Sequence, residues 1–160
     1  MRYAQIRSMD ISNGEGIGVA LFVQGCPSPH CKGCFNPETW DFNEGKEWTK
    51  ETEKEFLDLI DRPYIKRVSL LGGECLAPEN IEEVTRLAKK CKKLFPGKKI
   101  WLWTRYDFKK YVCNLDIIEY LDYVIDGTFI EELKDISLLF RGSSNQVIWM
   151  KKDKEWHIYL

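Results

Sequence analysis

Hydrophobic and polar positions along this chain form short apolar runs that alternate with amphipathic stretches. Residues 18–24, GVALFVQ, are almost wholly apolar, as in a strand buried on both faces of a sheet. Residues 1–7 alternate polar and apolar side chains and read as another strand. Short apolar runs at 68–71, 99–104 and 123–126 predict three more, the first ended by Gly72 and Gly73. Less regular patterns at 146–151 and 156–159 predict the last two.

Helical periods lie between these runs. Ile81, Val84, Leu87, Ala88, Cys91 and Leu94 recur at three- and four-residue spacings, an apolar stripe that predicts a helix over residues 78–94. Pro78 suits its first turn, and Pro96-Gly97 stops it. Thr49 is the expected cap of a helix running through Arg62, with Phe56, Leu57 and Ile60 inward. A third helix is predicted over residues 107–121. Strands alternating with helices imply a parallel sheet with helical crossovers. A closed eight-unit barrel takes about 250 residues. These 160 residues therefore hold one domain, either a partial (βα) barrel or a doubly wound sheet. In both, the loops that follow the strands gather at one end, where ligands bind.

Composition narrows the picture by exclusion. The chain has 24 basic and 25 acidic side chains, a net charge of −1, so no basic balance argues for nucleic acid. Its longest apolar runs, about six residues, fall far short of the roughly 20 that span a bilayer. No secretory apolar core opens the chain. A cytoplasmic protein with reduced thiols is expected.

Three of the six cysteines, Cys26, Cys31 and Cys34, fall within nine residues. Clustered thiols in a reducing compartment point to metal or redox chemistry, and soft thiolates suit zinc or an iron–sulfur cluster. Structural zinc asks for a fourth ligand, for which His30 is the candidate. An electron-transfer cluster normally has four cysteines, and Cys75 is the candidate there. Three ligands alone leave one iron open to a reactant. The spacing leaves these readings open. Cys91 lies on the helical stripe and reads as core, Cys113 has no assignment, and His30 and His157 show no acid–base partner.

Other candidates end strands. Gly72, Gly73 and Glu74 form either a loop that admits a ligand closely or a strand-ending turn with a solvated Glu. Thr104 and Asp126 read equally as ligand contacts or as caps of the following helices. Arg105 meets an anionic group or solvent. Trp101 and Trp103 read as core, whereas Trp40 and Trp48 stand near enough to the cysteines to shield them.

The stretches CPSPHCKGCFN (26–36), LLGGEC (70–75) and FRGSSNQ (140–146) together resemble the radical S-adenosylmethionine superfamily. GCFNPETWDF (33–42) and VIDGTF (124–129) narrow the resemblance to the branch that activates anaerobic ribonucleoside-triphosphate reductases. It covers about residues 7–148, and it implies a partial (βα) barrel with a mostly parallel sheet and flanking helices. It also implies that Cys26, Cys31 and Cys34 hold three irons of a 4Fe–4S cluster. The fourth iron would then bind the amino and carboxylate groups of S-adenosylmethionine. Gly33, Cys34 and Phe35 are implied on one side of that cofactor, with Phe35 against the adenine; plain core packing is the competing reading for Phe35. Gly72, Gly73, Glu74, Thr104 and Asp126 are implied on the other side, with Glu74 accepting from the methionyl ammonium.

The activity implied is reductive cleavage of S-adenosylmethionine to a 5′-deoxyadenosyl radical. That radical takes a hydrogen from a backbone glycine of the reductase, with an electron donor such as a flavodoxin. A radical enzyme acting on a free metabolite and a zinc-stabilised binding module are the alternatives. The short chain favours a protein substrate and predicts an open side next to the cluster. Two departures from the pattern stand out. The usual Cys-x3-Cys-x2-Cys gains one residue between Cys26 and Cys31, where Pro27 and Pro29 are expected to stiffen the turn. Cys75 stands where the usual Gly-Gly-Glu-Pro loop has proline. Arg141, Asn145 and Gln146 are implied to support the site or to meet the partner.

Overall fold

The computed structural model describes residues 1–160. Its strands are β1 (Arg2–Asp10), β2 (Gly18–Val23), β3 (Lys46–Glu47), β4 (Arg67–Gly72), β5 (Lys99–Trp103), β6 (Tyr123–Asp126), β7 (Val147–Lys152) and β8 (Glu155–Ile158). They form one sheet in the order β3-β1-β2-β4-β5-β6-β7-β8. All seven strands expected from the apolar pattern are present, and β3 is an addition. The sheet is less parallel than expected. Only β2, β4, β5 and β6 run parallel, while β1, β3, β7 and β8 pair antiparallel. The connections explain this, because residues 11–17 and 127–146 carry no α-helix and return the chain as antiparallel neighbours. At the β7–β8 turn, Asp153 and Lys154 both adopt positive φ, 53° and 68°, as a tight two-residue hairpin requires.

Two α-helices cross between the parallel strands, α1 (Lys50–Ile60) and α2 (Ile81–Leu94). Thr49 caps α1 as expected, its Oγ1 accepting from the Thr52 N–H at 3.1 Å. The helix stops at Ile60, and Glu53 rather than Leu57 joins Phe56 and Ile60 as buried. Helix α2 starts three residues later than Pro78, because Asn80 and Ile81 both donate to the Ala77 carbonyl and close a tight turn first. The third expected helix is not α-helical. Residues 107–121 form short 3-10 turns at Val112–Asn114 and Asp116–Tyr120, with Leu115 extended between them. Val112 and Ile117 still reach the core. Asn114 and Asp116 flank the break, and both side-chain types compete with helical backbone bonds.

The two faces of the sheet differ. Val19, Leu21, Leu70, Ile100, Leu102 and Val124 pack with Phe56, Val84 and Leu87 into the main core under the helices. The alternate residues Ala20, Phe22, Leu71, Trp101 and Ile125 point the other way, as the two-residue strand period dictates. That second face carries no α-helix. Phe140 from the β6–β7 loop and Tyr159 from the chain end pack on part of it. At the opposite end of β4, Arg67 forms a buried ion pair with Asp10 at 2.9 Å. Arg67 also donates to the Glu15 carbonyl at 3.1 Å, so the turn between β1 and β2 is locked over the sheet. No helix is long and apolar enough to cross a membrane.

Candidate metal and cofactor site

The cysteine loop leaves the end of β2 and closes on itself. Gly25 and Cys26 donate backbone N–H groups to Thr39 and Trp40 at 2.7 and 3.0 Å. Gln24 closes the neck, its side-chain amide donating to the Glu38 and Asp41 carbonyls at 2.9 and 2.8 Å. Between the last two cysteines, Cys34 N–H donates to the Cys31 carbonyl at 3.2 Å. Gly33 has φ 75° at this turn, a backbone state that favours glycine. All six cysteines are free thiols. His30 stacks flat on Trp40 with ring centroids 4.2 Å apart, and its Nε2 is 2.8 Å from the Cys26 carbonyl oxygen. It braces the loop and does not complete a zinc shell.

Cys26, Cys31 and Cys34 open on a cavity of about 500 Å³. It lies on the helix-free face, at the ends of the parallel strands, where ligands bind in such sheets. Phe35, Gly72, Gly73, Glu74 and Thr104 also line it. Phe35 is 55% exposed, so it is not a core residue; its ring meets Phe129 at 5.1 Å between centroids. Arg141 and Gln146, implied by the resemblance to support the site or meet the partner, line it too, whereas Arg7, Phe22, Trp103, Phe129 and Phe140 are wall residues that sequence reasoning did not place in a site. Strand parity carried a signal for Phe22 and Trp103, since their neighbours Leu21 and Leu102 face the helices.

Paired glycines are needed here for the approach of the chain to itself. A Cβ on Gly73 would lie 2.3 Å from the Gly25 carbonyl oxygen, and one on Gly72 2.7 Å from the backbone of Val23. Across this contact Gly73 and Glu74 donate to the carbonyls of Val23 and Gly25 at 2.9 and 2.7 Å. The cysteine loop and the Gly-Gly-Glu loop are thus welded together. Asn80 reinforces the joint by donating to the carbonyls of Gln24 and Glu74 at 3.1 and 3.0 Å.

Glu74 is buried rather than solvated. Its Oε1 accepts from the Thr104 hydroxyl at 2.6 Å and the Leu76 N–H at 3.1 Å. Its Oε2 accepts from the Arg105 N–H at 2.8 Å. Burial pushes this carboxyl up, against those hydrogen bonds. A carboxylate has about four acceptor positions, so three donors leave roughly one for a ligand. Thr104 is committed as well, accepting from the Tyr106 N–H at 3.2 Å. Arg105 neither meets solvent freely nor points at an anion. Its guanidinium donates to the carbonyls of Pro27 and Pro29 at 2.7 and 2.9 Å and lies 3.9 Å from Cys26 Sγ. Burial and then Glu74 raise the Cys26 pKa, while Arg105 opposes them.

Several expected residues lie elsewhere. Asp126 is not on the cavity wall. Its oxygens accept from the Phe108 N–H at 2.7 Å and the Trp149 indole at 3.2 Å, so it caps the segment after β5 on the helix side. Gly33 serves the turn and faces Glu131. Cys75 is fully buried in the main core, its Sγ 3.8 Å from the Leu71 carbonyl oxygen, so it is no fourth thiolate for the loop. Cys91 is core, as expected, and burial pushes its thiol up to about 12. Cys113 donates to the Lys109 carbonyl.

The donor set fits a cluster better than a single ion. Three soft thiol donors from one loop open on one cavity, with His30 and Cys75 engaged elsewhere. A polynuclear cluster ligates each thiolate through a different iron. In agreement, residues 12–149 match the family described as 4Fe-4S single cluster domain, which makes this a single-cluster iron–sulfur protein. Known proteins that align over nearly their full length narrow the class. The anaerobic ribonucleoside-triphosphate reductase-activating protein of Escherichia coli (strain K12) is 38% identical over 151 residues, covering 92% of this chain and 97% of that protein. Its namesake in Enterobacteria phage T4 is 40% identical over 156 residues, covering 98% of each. That of Vibrio cholerae is 39% identical over 155 residues, covering 92% and 97%. The chain belongs to the family of anaerobic ribonucleoside-triphosphate reductase-activating proteins.

Proposed function

We propose that this protein is a radical S-adenosylmethionine enzyme that installs a glycyl radical on an anaerobic ribonucleoside-triphosphate reductase. The observation that carries this reading is the opening of Cys26, Cys31 and Cys34, and of no fourth cysteine, onto one cavity beside the Gly-Gly-Glu loop. A 4Fe–4S cluster bound by these three cysteines would supply the electron for reductive cleavage of S-adenosylmethionine, and so the radical chemistry that takes a hydrogen from the reductase glycine.

The chain's own residues bind, orient and exclude water. Cys26, Cys31 and Cys34 would hold the cluster, and Arg105 fixes the loop that carries them. Glu74 offers its remaining acceptor position to a ligand ammonium, while Thr104 and the Arg105 N–H keep that carboxylate oriented. Phe35, Phe129, Trp103 and Phe140 give the cavity an aromatic wall that sheds water. On this reading the fold is a partial barrel of the superfamily type. The parallel strands form its staves, the helices cover its outside, and the helix-free face is its inside. Glycine suits the target position because its α-carbon has no side chain to block close approach. The protein works in the cytoplasm, with a small reductant such as a flavodoxin as electron donor.

The test is anaerobic incubation of reconstituted protein with S-adenosylmethionine, a reductant and the reductase. The expected result is 5′-deoxyadenosine together with a glycyl-radical signal in electron paramagnetic resonance. Cleavage without any radical on the reductase would favour a free metabolite as substrate.

A further inference from the structure

Arg141 is the cavity residue whose hydrogen bonding the fold leaves incomplete. Its Nε is the one buried side-chain nitrogen or oxygen in the chain without a partner. Its only hydrogen bond runs from Nη1 to the Leu139 carbonyl at 3.4 Å. Buried donors are almost always paired, and a charged one gains most from an acceptor. The missing acceptor is therefore expected from outside the chain.

Apart from Glu74, with its remaining acceptor position, the other charged groups on the cavity wall have partners within the chain. Arg7 lies over the Phe22 ring at 4.6 Å and faces Asp10 at 3.7 Å. Arg105 grips the proline carbonyls of the cysteine loop. Asp135 accepts from the Ser137 N–H at 2.9 Å and from the Ser137 hydroxyl. The Arg7 guanidinium makes no hydrogen bond either, and the Asp135 carboxylate lies within charge–charge reach of Arg141. Only Arg141 has a buried nitrogen without a partner, Nε, on the guanidinium edge that it forms with Nη2.

That edge is held in place from both sides. The Trp103 indole donates to the Phe140 carbonyl at 2.8 Å. Gln146 accepts from the Gly142 and Ser143 N–H groups at 3.0 and 3.1 Å and donates to the Gly127 carbonyl at 2.9 Å. Gly142 lies so close to Phe35 that a Cβ there would sit 2.6 Å from the ring. Phe35 follows Cys34, so Arg141 stands at the cysteine end of the cavity.

We propose that Arg141 receives the carboxylate at the amino-acid end of the cavity's ligand, next to the cysteine loop. This rests on reading the cavity as an S-adenosylmethionine site. A planar guanidinium edge matches a carboxylate with two parallel hydrogen bonds, and a ligand with an α-amino carboxylate brings that group without a second anion. The arrangement divides recognition of the two ligand charges, with Glu74 for the ammonium and Arg141 for the carboxylate.

Equilibrium binding to anaerobically reconstituted protein tests this, using S-adenosylmethionine and its decarboxylated analogue on the native chain, Arg141→Gln and Arg141→Lys. Arg141→Gln should weaken S-adenosylmethionine binding about tenfold to a hundredfold and leave the decarboxylated analogue within about twofold, so that the two changes are coupled. Arg141→Lys should restore part of the loss, since it keeps the charge without the planar edge. Iron content and thermal midpoint report whether each variant is folded, and Arg141→Lys carries the comparison if the Gln variant is not. Equal losses for both ligands, or none for S-adenosylmethionine, overturn the role of Arg141. A cluster-loaded native chain that binds neither ligand overturns the S-adenosylmethionine reading itself, and this proposal with it.

Discussion

Arg105 donates to the carbonyl of Pro27 at 2.7 Å, so a residue two positions beyond β5 grips the cysteine loop from across the sheet. A second contact to Pro29 brackets the stretch in which this chain has one residue more than the usual superfamily spacing. Arg105→Ala should loosen that stretch and release iron to a chelator several-fold faster. Arg105→Lys should recover little, because one ammonium cannot span two carbonyls as a fork does. Iron released against time measures it, and equal rates would remove Arg105 from cluster retention.

Ligation by three cysteines makes a sharper demand. Cys26→Ala, Cys31→Ala and Cys34→Ala should each abolish the cluster in iron and sulfide analysis. Cys75→Ala and Cys91→Ala should keep it, with a modest stability loss of about 1 kcal/mol from the small cavities left in the core. Loss of the cluster in Cys75→Ala would require the loop after Glu74 to turn over.

Glu74→Gln replaces a pure acceptor with a group that is half donor. Its three donors, the Thr104 hydroxyl and the N–H groups of Leu76 and Arg105, cannot all be satisfied by an amide. The expected cost is about 1–3 kcal/mol of stability, along with weaker S-adenosylmethionine binding. Urea unfolding of the apoprotein isolates the first effect. An unchanged midpoint would show the carboxylate to be unimportant to the joint.

Glu53 connects α1 to α2 by accepting from Arg86 and from Lys90, the latter at 2.8 Å. Burial pushes its pKa up, but the hydrogen bonds from Arg86 and Lys90 outweigh it and hold the carboxyl below the usual glutamate range. A folded pKa below the unfolded one, about 4.3, gives stability that is full above that value. It is lost as acid takes the pH down through the folded pKa. Glu53→Gln should therefore lower the urea midpoint at neutral pH, by an amount that shrinks progressively as the pH falls below about 4.3. A difference that is the same at every pH would assign the effect to packing.

The parallel strands were legible because burial on both faces leaves nearly unbroken apolar runs, as in residues 18–23. The stretch 107–121 misled because Phe108, Val112, Ile117 and Leu121 keep a roughly helical rhythm while Asn114 and Asp116 break the backbone between them. Cys26, Cys31 and Cys34 were legible by proximity in sequence. Asp126 was read equally as a ligand contact or a cap, and the structure shows a cap. It shares parity with Val124, which packs under the helices, so the two-residue period already held the answer. Arg105 reaching Pro27 and Glu74 reaching Thr104 leave no mark in a one-dimensional pattern, since each joins residues remote in sequence. Gly72 and Gly73 were read as room for a ligand or as a strand-ending turn; they line the cavity, but what a side chain there would strike is Val23 and Gly25.

The alternation along β5 means that one strand serves two masters in successive residues. Ile100 and Leu102 belong to the helix-side core, whereas Trp101 and Trp103 belong to the face that carries the cavity. A scan of substitutions along those four positions should therefore read like a two-stroke rhythm, with loss of folding at the first beat and change of ligand-side behaviour at the second. The helical half of the protein is then free to drift in sequence wherever volume is kept. The loop-walled half has no such freedom, because it also carries Cys26, Cys31 and Cys34 and packs Gly142 against Phe35 beside them.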